Sequence, residues 1–403
     1  MALLRILHVT PYSADAWAYG GIPRLASTIA RGLVRRGHRV TVCTTDAHDA
    51  ASRLPRRDGH STRFAAWPAA WTHDGVEVRV FPNLSNRLAY HWQAFFPLGL
   101  ERYMKEHAAG FDVAHLHACR NLPGVVSAHY LRRYAVPYVL APNGTAPRIE
   151  RLRLVKRAFD VVFGQHVIDS ASRVVAVSRS EQQVLTELGI EARTIALIPN
   201  PIDLDEFNTA VERGRFRRRY SLEAHPIVLF LGKITPRKRV DVLIRAFAQL
   251  DRPDARLVIA GNDMGDGDAS RSLAHDTGIA NRTIFTGLLT GRDRLDALAD
   301  ANVVVYPSQH EVFGLVPLEA LLSGSPVIVA DDSGCGEIIR RLPGGQVIPL
   351  GSVEALATAI ETVLKSPDAW RARVADSTTE LRSAYGQDHI CAQLESLYLE
   401  MVA

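Results

Sequence analysis

Apolar residues along this chain fall into short, nearly unbroken runs separated by stretches with helical spacing. Leu4–Val9, Arg39–Cys43, Asp112–His117, Pro137–Ala141 and Arg173–Val177 each predict a strand, and Val76–Val80 alternates like one. Between the first two, Leu25, Ile29 and Leu33 recur every four residues and stop before Gly37, the pattern of a helix with one buried face. Strand, turn at Gly20-Gly21, helix, strand is the opening of a parallel α/β sheet. In such sheets ligands sit beyond the carboxyl ends of the strands, where Gly20-Gly21 falls. Ile198-Pro199-Asn200-Pro201-Ile202-Asp203 reads as a linker, after which the pattern restarts. Ile227–Leu231, Leu257–Gly261, Thr283–Gly287, Val303–Pro307 and Val327–Val329 predict a second set of strands. Residues 46–72 are polar, Arg-rich and broken by Pro and Gly, and read as one long excursion.

Length sharpens this into two domains, residues 1–200 and 201–385, because 403 residues exceed what one core holds. The opening MALLRILHVTPYS is too short an apolar run for a signal peptide or membrane span, and no later run reaches the roughly 18 residues a span needs. Cys43, Cys119, Cys335 and Cys391 show no CxxC spacing, which argues against a zinc site or disulfide framework and fits small buried side chains in a reducing cytoplasm.

Charge is uneven. Residues 1–205 hold 25 Lys and Arg against 17 Asp and Glu, a net +8, while the remainder is −4. A basic first half suits an anionic partner, with an Arg-biased solvated surface as the plain alternative. Residues 148–163, RIERLRLVKRAFDVVF, carry Arg148, Arg151, Arg153, Lys156 and Arg157 among Leu152, Leu154, Val155, Phe159 and Val162. That is the profile of an interfacial helix on anionic lipid, or of a helix with a solvated basic face.

The densest candidate chemistry lies in residues 307–337. Glu311 and Glu319 flank Phe313-Gly314-Leu315, and Pro317 predicts a helix start with Glu319 in its first turn. Gly314 lets a ligand approach the backbone, and the free amides of residues 314–316 favour anionic or oxygen-rich groups. A surface loop and a capped helix is the bland reading. The loop after Ile227–Leu231 holds Lys233, Arg237, Lys238 and Arg239, a concentration of cations that a phosphate would explain. Asp112–His117 delivers His117 to a strand's carboxyl end, as a ligand contact or a core histidine. Ser178 with Glu181 is a capping box. The chain has neither GxGxxG nor GxxxxGK[ST], so a dinucleotide fingerprint and a P-loop are absent. There is no DxD at a strand end, and Asp331-Asp332 reads as a turn before a helix.

Taken in order, Gly20-Gly21, Val177-Ser178 with Glu181, Ile198-Pro199-Asn200 with Asp203 and Phe207, Gly232…Lys238, and Glu311-x7-Glu319 around Phe313-Gly314-Leu315 resemble the retaining GT-B glycosyltransferases of family 4 (glycosyl transferases group 1) over nearly the whole chain. The resemblance implies an α/β fold of two Rossmann-like domains facing a central cleft, with a C-terminal helix in residues 386–403 returning to the N-terminal domain. It implies an acceptor bound mainly by the first domain and a UDP- or GDP-hexose bound mainly by the second, with no metal, cofactor or nucleic acid. Glu311 would meet the transferred sugar and Glu319 the ribose. The amides of Phe313, Gly314 and Leu315 would meet the sugar and phosphates, Lys233 and Lys238 the diphosphate, and the backbone at Gly287-Leu288 the base. The Gly20-Gly21 loop would close on the phosphate and His117 on the sugar. Glu311, Lys238 and His117 are then the catalytic candidates.

Two positions depart from the family. Lys233 stands where Arg is usual, so a forked contact becomes a single ammonium, and Val312 stands where a small residue is common. The basic helix and the +8 first half favour a lipid-linked or membrane-surface acceptor at the cytoplasmic face, as in polysaccharide or glycolipid assembly, with a soluble sugar acceptor as the alternative. The alternatives are a starch- or sucrose-type synthase, a GT-B epimerase and an inactive nucleotide-sugar-binding subunit.

Overall fold

The computed structural model describes residues 3–54, 69–147, 157, 159–208 and 212–403. The chain forms two units: Met1–Pro201 together with Gln387–Ala403, and Ile202–Gly386. Among the described residues no helix is long and apolar enough to cross a membrane.

Unit 1 is built on eight strands: β1 (Arg5–Val9), β2 (Arg39–Thr45), β3 (Ala69–His73), β4 (Val76–Phe81), β5 (Val113–His117), β6 (Tyr138–Ala141), β7 (Arg173–Ala176) and β8 (Ile195–Leu197). Their order in the sheet is β3-β4-β2-β1-β5-β6-β7-β8. All pairs are parallel except β3 with β4. Both faces are covered, which is why the central strands read as continuous apolar runs. Leu7 and Val9 of β1 enter one core with Met104, Leu116 and Leu140. Ile6 enters the other with Leu25, Leu33, Ile390 and Leu394.

The helix Gln387–Val402 lies on that second face, against the helix Gly21–Arg35. Gly32 allows the approach, because a Cβ there would collide with Cys391 Sγ. His38 Nε2 lies 2.9 Å from Glu395, which also pairs with Arg36. Full burial of Ile390 and Leu394 contributes roughly 1.5–3 kcal/mol each.

One reading changes here. The excursion expected over 46–72 contains β3 at its end. Asp74 (φ 50°) and Gly75 (φ 77°) form a two-residue hairpin with positive φ at both positions, which pins β3 antiparallel to β4. Of the basic helix, Arg148, Arg151, Arg153 and Lys156 lie outside the described residues, and Arg157 is helical and exposed. The cap at Ser178 forms, its Oγ accepting from Glu181 N at 3.1 Å. The Glu181 carboxylate accepts from Val177 N and Gly144 N, so it ties β7 to the loop after β6.

Unit 2 holds β9 (Ile227–Leu231), β10 (Arg256–Ala260), β11 (Thr283–Gly287), β12 (Val303–Tyr306), β13 (Val327–Asp331) and β14 (Gly345–Pro349). The order is β11-β10-β9-β12-β13-β14, parallel throughout. In each sheet the chain builds outward from one strand and then returns to its other side. The reversal falls between β1 and β5 in unit 1 and between β9 and β12 in unit 2. Loops beyond the carboxyl ends of strands at such a switch point splay apart and leave room for a ligand. The candidates His117 (β5) and Gly20-Gly21 (after β1) flank the first switch point. The Lys238 loop (after β9) and the Glu311 loop (after β12) flank the second.

Candidate functional site

In unit 2 the loop after β9 turns through a 3-10 segment, Pro236–Lys238, and Arg239 is left-handed at φ 52°. This aims Lys238 inward, where it is 5% exposed. Lys238 Nζ donates to Glu311 Oε2 and to the Tyr306 hydroxyl. The Tyr306 hydroxyl in turn donates to Glu311 Oε2 at 3.2 Å. Tyr306 ends β12, and Lys238 Nζ also lies 4.4 Å from its ring centroid.

The Glu311 loop is held from three sides. Gln309 N donates to Arg237 O, while Cys335 N and Ser333 Oγ both donate to Glu311 O at 2.8 Å. His310 N donates to Asp332. Asp332 is therefore a loop anchor.

Electrostatics follow the geometry. Burial alone would push the Glu311 carboxyl up, but the charges of Lys238 and Arg237 and the hydrogen bonds from Lys238 and Tyr306 bring it below the usual carboxylate range. Burial lowers the Lys238 ammonium more than Glu311 raises it. Burial, with Glu311 nearby, raises the Tyr306 phenol, so it stays protonated and able to donate.

The helix carrying Glu319 is Leu315–Leu322, two residues earlier than Pro317 signalled. Gly314 caps it in the left-handed region (φ 79°, ψ 66°), and Pro317 sits inside the first turn. The amides at Gly314 and Leu315 stand at this start, as the sequence suggested. Phe313 is core, packed edge-on to Tyr385 at 5.7 Å. Glu319 is buried and bound by Arg294 of the helix Gly291–Asp300, which also holds Glu206.

Lys233 follows β9 and is half-buried, whereas Leu288, after β11, is 43% exposed. The structure thus groups Lys238, Glu311 and Tyr306, and separately Glu319, Arg294 and Glu206. Sequence reasoning missed Tyr306 and Arg294. Arg294 had a signal: its helical neighbours Ala297 and Leu298 are apolar, and a cation on a buried face needs a buried partner.

In unit 1, Gly20 (φ 95°) precedes the helix that starts at Gly21, and Gly21 is exposed. His117 is 1% exposed and belongs to a row of three histidines on one sheet face. Its Nε2 is 3.0 Å from His8 Nδ1, and its ring stacks on His115 at 4.4 Å. His115 Nδ1 meets the Tyr398 hydroxyl at 2.6 Å. Burial lowers all three, His117 to about 3, so the row is neutral at pH 7.

Among the described residues His8, His115 and His117 are the group whose ligand atoms lie close enough to suggest a metal, within 4.8 Å of one another. The rings lie nearly parallel, 6° between His115 and His117 and 24° between His8 and His115, so their lone pairs do not converge on one point. The row is better described as a stacked, hydrogen-bonded array than as a chelate.

Comparison with known proteins gives the family. Residues 19–206 match the family described as Glycosyltransferase Family 4, and residues 212–380 match Glycosyl transferases group 1. The D-inositol 3-phosphate glycosyltransferase of Actinosynnema mirum is 29% identical over 412 residues, covering 94% of each chain. The GDP-mannose-dependent alpha-mannosyltransferase of Mycobacterium tuberculosis is 29% identical over 345 residues, 83% of this chain and 81% of that protein. Among solved structures, Anabaena HepE in complex with UDP and glucose superposes with a TM-score of 0.77 at 19% identity, covering 98% of this chain and 100% of HepE. Two parallel α/β units, candidates at both switch points and two adjoining family matches lead to one conclusion: the chain belongs to the family 4 glycosyltransferases and has the GT-B fold.

Proposed function

We propose that this transferase moves a hexose from a UDP- or GDP-sugar to a sugar or lipid-linked acceptor, with retention at the anomeric carbon and without a metal. The observation that carries the reading is the Lys238–Glu311–Tyr306 group at the unit 2 switch point, with Lys238 and Tyr306 buried and Glu311 partly so. A cation, an ionised carboxylate and a phenol held together in this way would supply the charge compensation and the polar sugar contact that a sugar diphosphate needs. Its likeness to a GDP-mannose-dependent enzyme supports the donor class.

When the anomeric C–O bond breaks, negative charge grows on the diphosphate and positive charge on the sugar ring. Lys238, Lys233 and the Gly314 and Leu315 amides face the first change, and preorganised donors of this kind act most strongly where water is excluded. Glu311 positions the sugar and stabilises the ring charge. The leaving phosphate takes the acceptor's proton on the same face, which retains configuration without a covalent intermediate. Glu319 takes the ribose, Leu288 marks the backbone that receives the base, and Gly20, Gly21 and His117 are unit 1's candidates for the phosphate and sugar. The net +8 of residues 1–205 supports an acceptor at an anionic membrane surface, in polysaccharide or glycolipid assembly.

A nucleotide-sugar panel with purified protein tests the donor, read as nucleotide release with and without acceptor. Glu311→Ala is expected to lose transfer by several orders of magnitude while remaining folded. Normal turnover in that variant sinks the role given to Glu311. A parent protein that binds nucleotide sugars but releases no nucleotide with any acceptor is a binding subunit. Failure to bind anionic vesicles at low salt removes the membrane surface from the reading.

A further inference from the structure

Arg294 is 3% exposed, on a helix face it shares with the buried Ala297 and Leu298. Its Nη1 donates to Glu319 Oε2 and its Nη2 to Glu206 Oε2. The Glu319 side chain is 3% exposed and that of Glu206 is 29% exposed. The fold does not need a cation here. Taking a guanidinium and a carboxylate out of water costs about what their attraction returns, and apolar side chains of similar volume commonly pack such a face equally well.

What the guanidinium does supply is orientation. Its planar fork sets the directions of two N–H donors at once, one toward each carboxylate, as a lysine's rotating ammonium cannot. The fork has two anchors: Glu319, on the helix that also starts at the Gly314 and Leu315 amides, and Glu206, in the turn Leu204–Phe207 that Asp203 caps. A carboxylate bound by one arginine nitrogen retains acceptor capacity for neighbouring hydroxyls, since an ionised carboxylate offers about four lone-pair sites.

We propose that Arg294 is a positioning residue of the nucleotide site. It holds Glu319, with Glu206 as its second anchor, in the orientation that accepts a ribose diol, and so sets a preference for ribonucleotides over deoxyribonucleotides. The proposal rests on the assignment of Glu319 to the ribose. Without Arg294, a carboxylate as buried as Glu319 takes up a proton or turns away, and in either state it is a poorer acceptor. The loss is confined to the ribose, because the diphosphate is met by Lys233, Lys238 and backbone amides.

Calorimetric titration with UDP and GDP and with their 2′-deoxy and 3′-deoxy counterparts separates this from a merely structural role. The parent is expected to prefer the ribonucleotide by about 10- to 100-fold, the range of a hydrogen bond to a charged group. In Arg294→Met, ribonucleotide affinity falls to the deoxy level while deoxyribonucleotide affinity stays where it was. Glu206→Gln gives a partial loss of the same kind. A structural role would weaken both classes equally and leave their ratio unchanged, which overturns the proposal.

Arg294→Lys, which keeps the charge and loses the fork, decides the matter if Arg294→Met does not fold. A ratio equal to the parent's in that variant also overturns it. A parent that binds ribo- and deoxyribonucleotides equally well overturns this inference alone. A parent that binds none of these nucleotides overturns the donor reading, and the inference with it.

Discussion

Replacing Gly314 with alanine tests how tightly the backbone beneath the proposed donor site is built. Gly314 has φ 79° and ψ 66°, a conformation that costs an L side chain roughly 1–2 kcal/mol. A Cβ there would also lie 3.1 Å from Cys335 Cβ and far inside contact distance of Cys335 Sγ. Cys335 is 3% exposed, so its sulfur has no open space to move into, and overpacking of this kind adds about 1–3 kcal/mol. The two terms give about 2–5 kcal/mol of destabilisation for Gly314→Ala.

The strain also reaches Glu311, because Cys335 N is the donor to Glu311 O. Turnover should therefore fall by more than the population of folded protein explains. A second substitution separates the terms. Cys335→Ala removes Sγ and leaves only the 3.1 Å approach, so Gly314→Ala/Cys335→Ala should be about 1–2 kcal/mol more stable than the sum of the single variants, within the range for touching residues. Urea unfolding of the four proteins measures this, with a separate transition allowed for each unit. A Gly314→Ala variant within about 0.5 kcal/mol of the parent, or a double variant that is simply additive, refutes the argument.

Tyr306→Phe deletes one hydrogen bond to Glu311 and should lower kcat about 5- to 10-fold, the worth of about 1 kcal/mol, with little change in fold. Because that bond helps hold the Glu311 carboxyl down, its loss raises the carboxyl, and the acid limb of kcat/KM moves to higher pH. An unmoved limb counts against Glu311 as the titrating group. Lys238→Met removes a larger support of the same carboxyl, so its limb should move further, and donor affinity should fall with it. The three buried histidines make unit 1 acid-sensitive. They are neutral in the fold, with His117 brought down to about 3, and take up protons on unfolding near 6.5, so stability present above about pH 6.5 is lost as pH falls toward 3. Each should remove roughly 1.5–2 kcal/mol between pH 6.5 and 5. His8→Asn, which can still hydrogen-bond His117, should flatten the dependence of urea midpoint on pH by one proton, and an unchanged slope defeats the account.

What the sequence made legible follows from what burial does to composition. Strands covered on both faces become apolar runs, so Ile227–Leu231 and Val303–Tyr306 were readable, and with them the positions of Lys238 and Glu311. β3 was not, because Ala69–His73 holds no Val, Ile or Leu and is fixed instead by the Asp74-Gly75 hairpin, a dipeptide cue outweighed by the polar stretch before it. The helix start was misplaced for a similar reason. Pro317 is compatible with any position in the first turn, and the left-handed Gly314 sets the boundary. Tyr306 escaped because its pairing with Glu311 leaves no local pattern, and Arg294 because a cation on an apolar helix face calls for a buried partner without saying which, here Glu319, 25 residues on.

The pairing of Lys238 with Glu311 also bears on how such a site can stay charged and ready. Leaving Lys238 buried without a partner would push its ammonium toward the neutral form, and a neutral amine cannot stabilise a leaving diphosphate. Glu311 opposes that shift, and the protonated Tyr306 supplies a further partner to each. In the proposed donor complex the diphosphate's charge takes over the support of Lys238, freeing Glu311 to turn to the sugar while neither partner passes through an uncompensated state. Removing one member of such a pair costs about 3–5 kcal/mol, because the other is left buried and alone. On this argument Lys238→Met and Glu311→Ala should each destabilise unit 2, whereas a variant carrying both changes should recover much of that stability and none of the turnover.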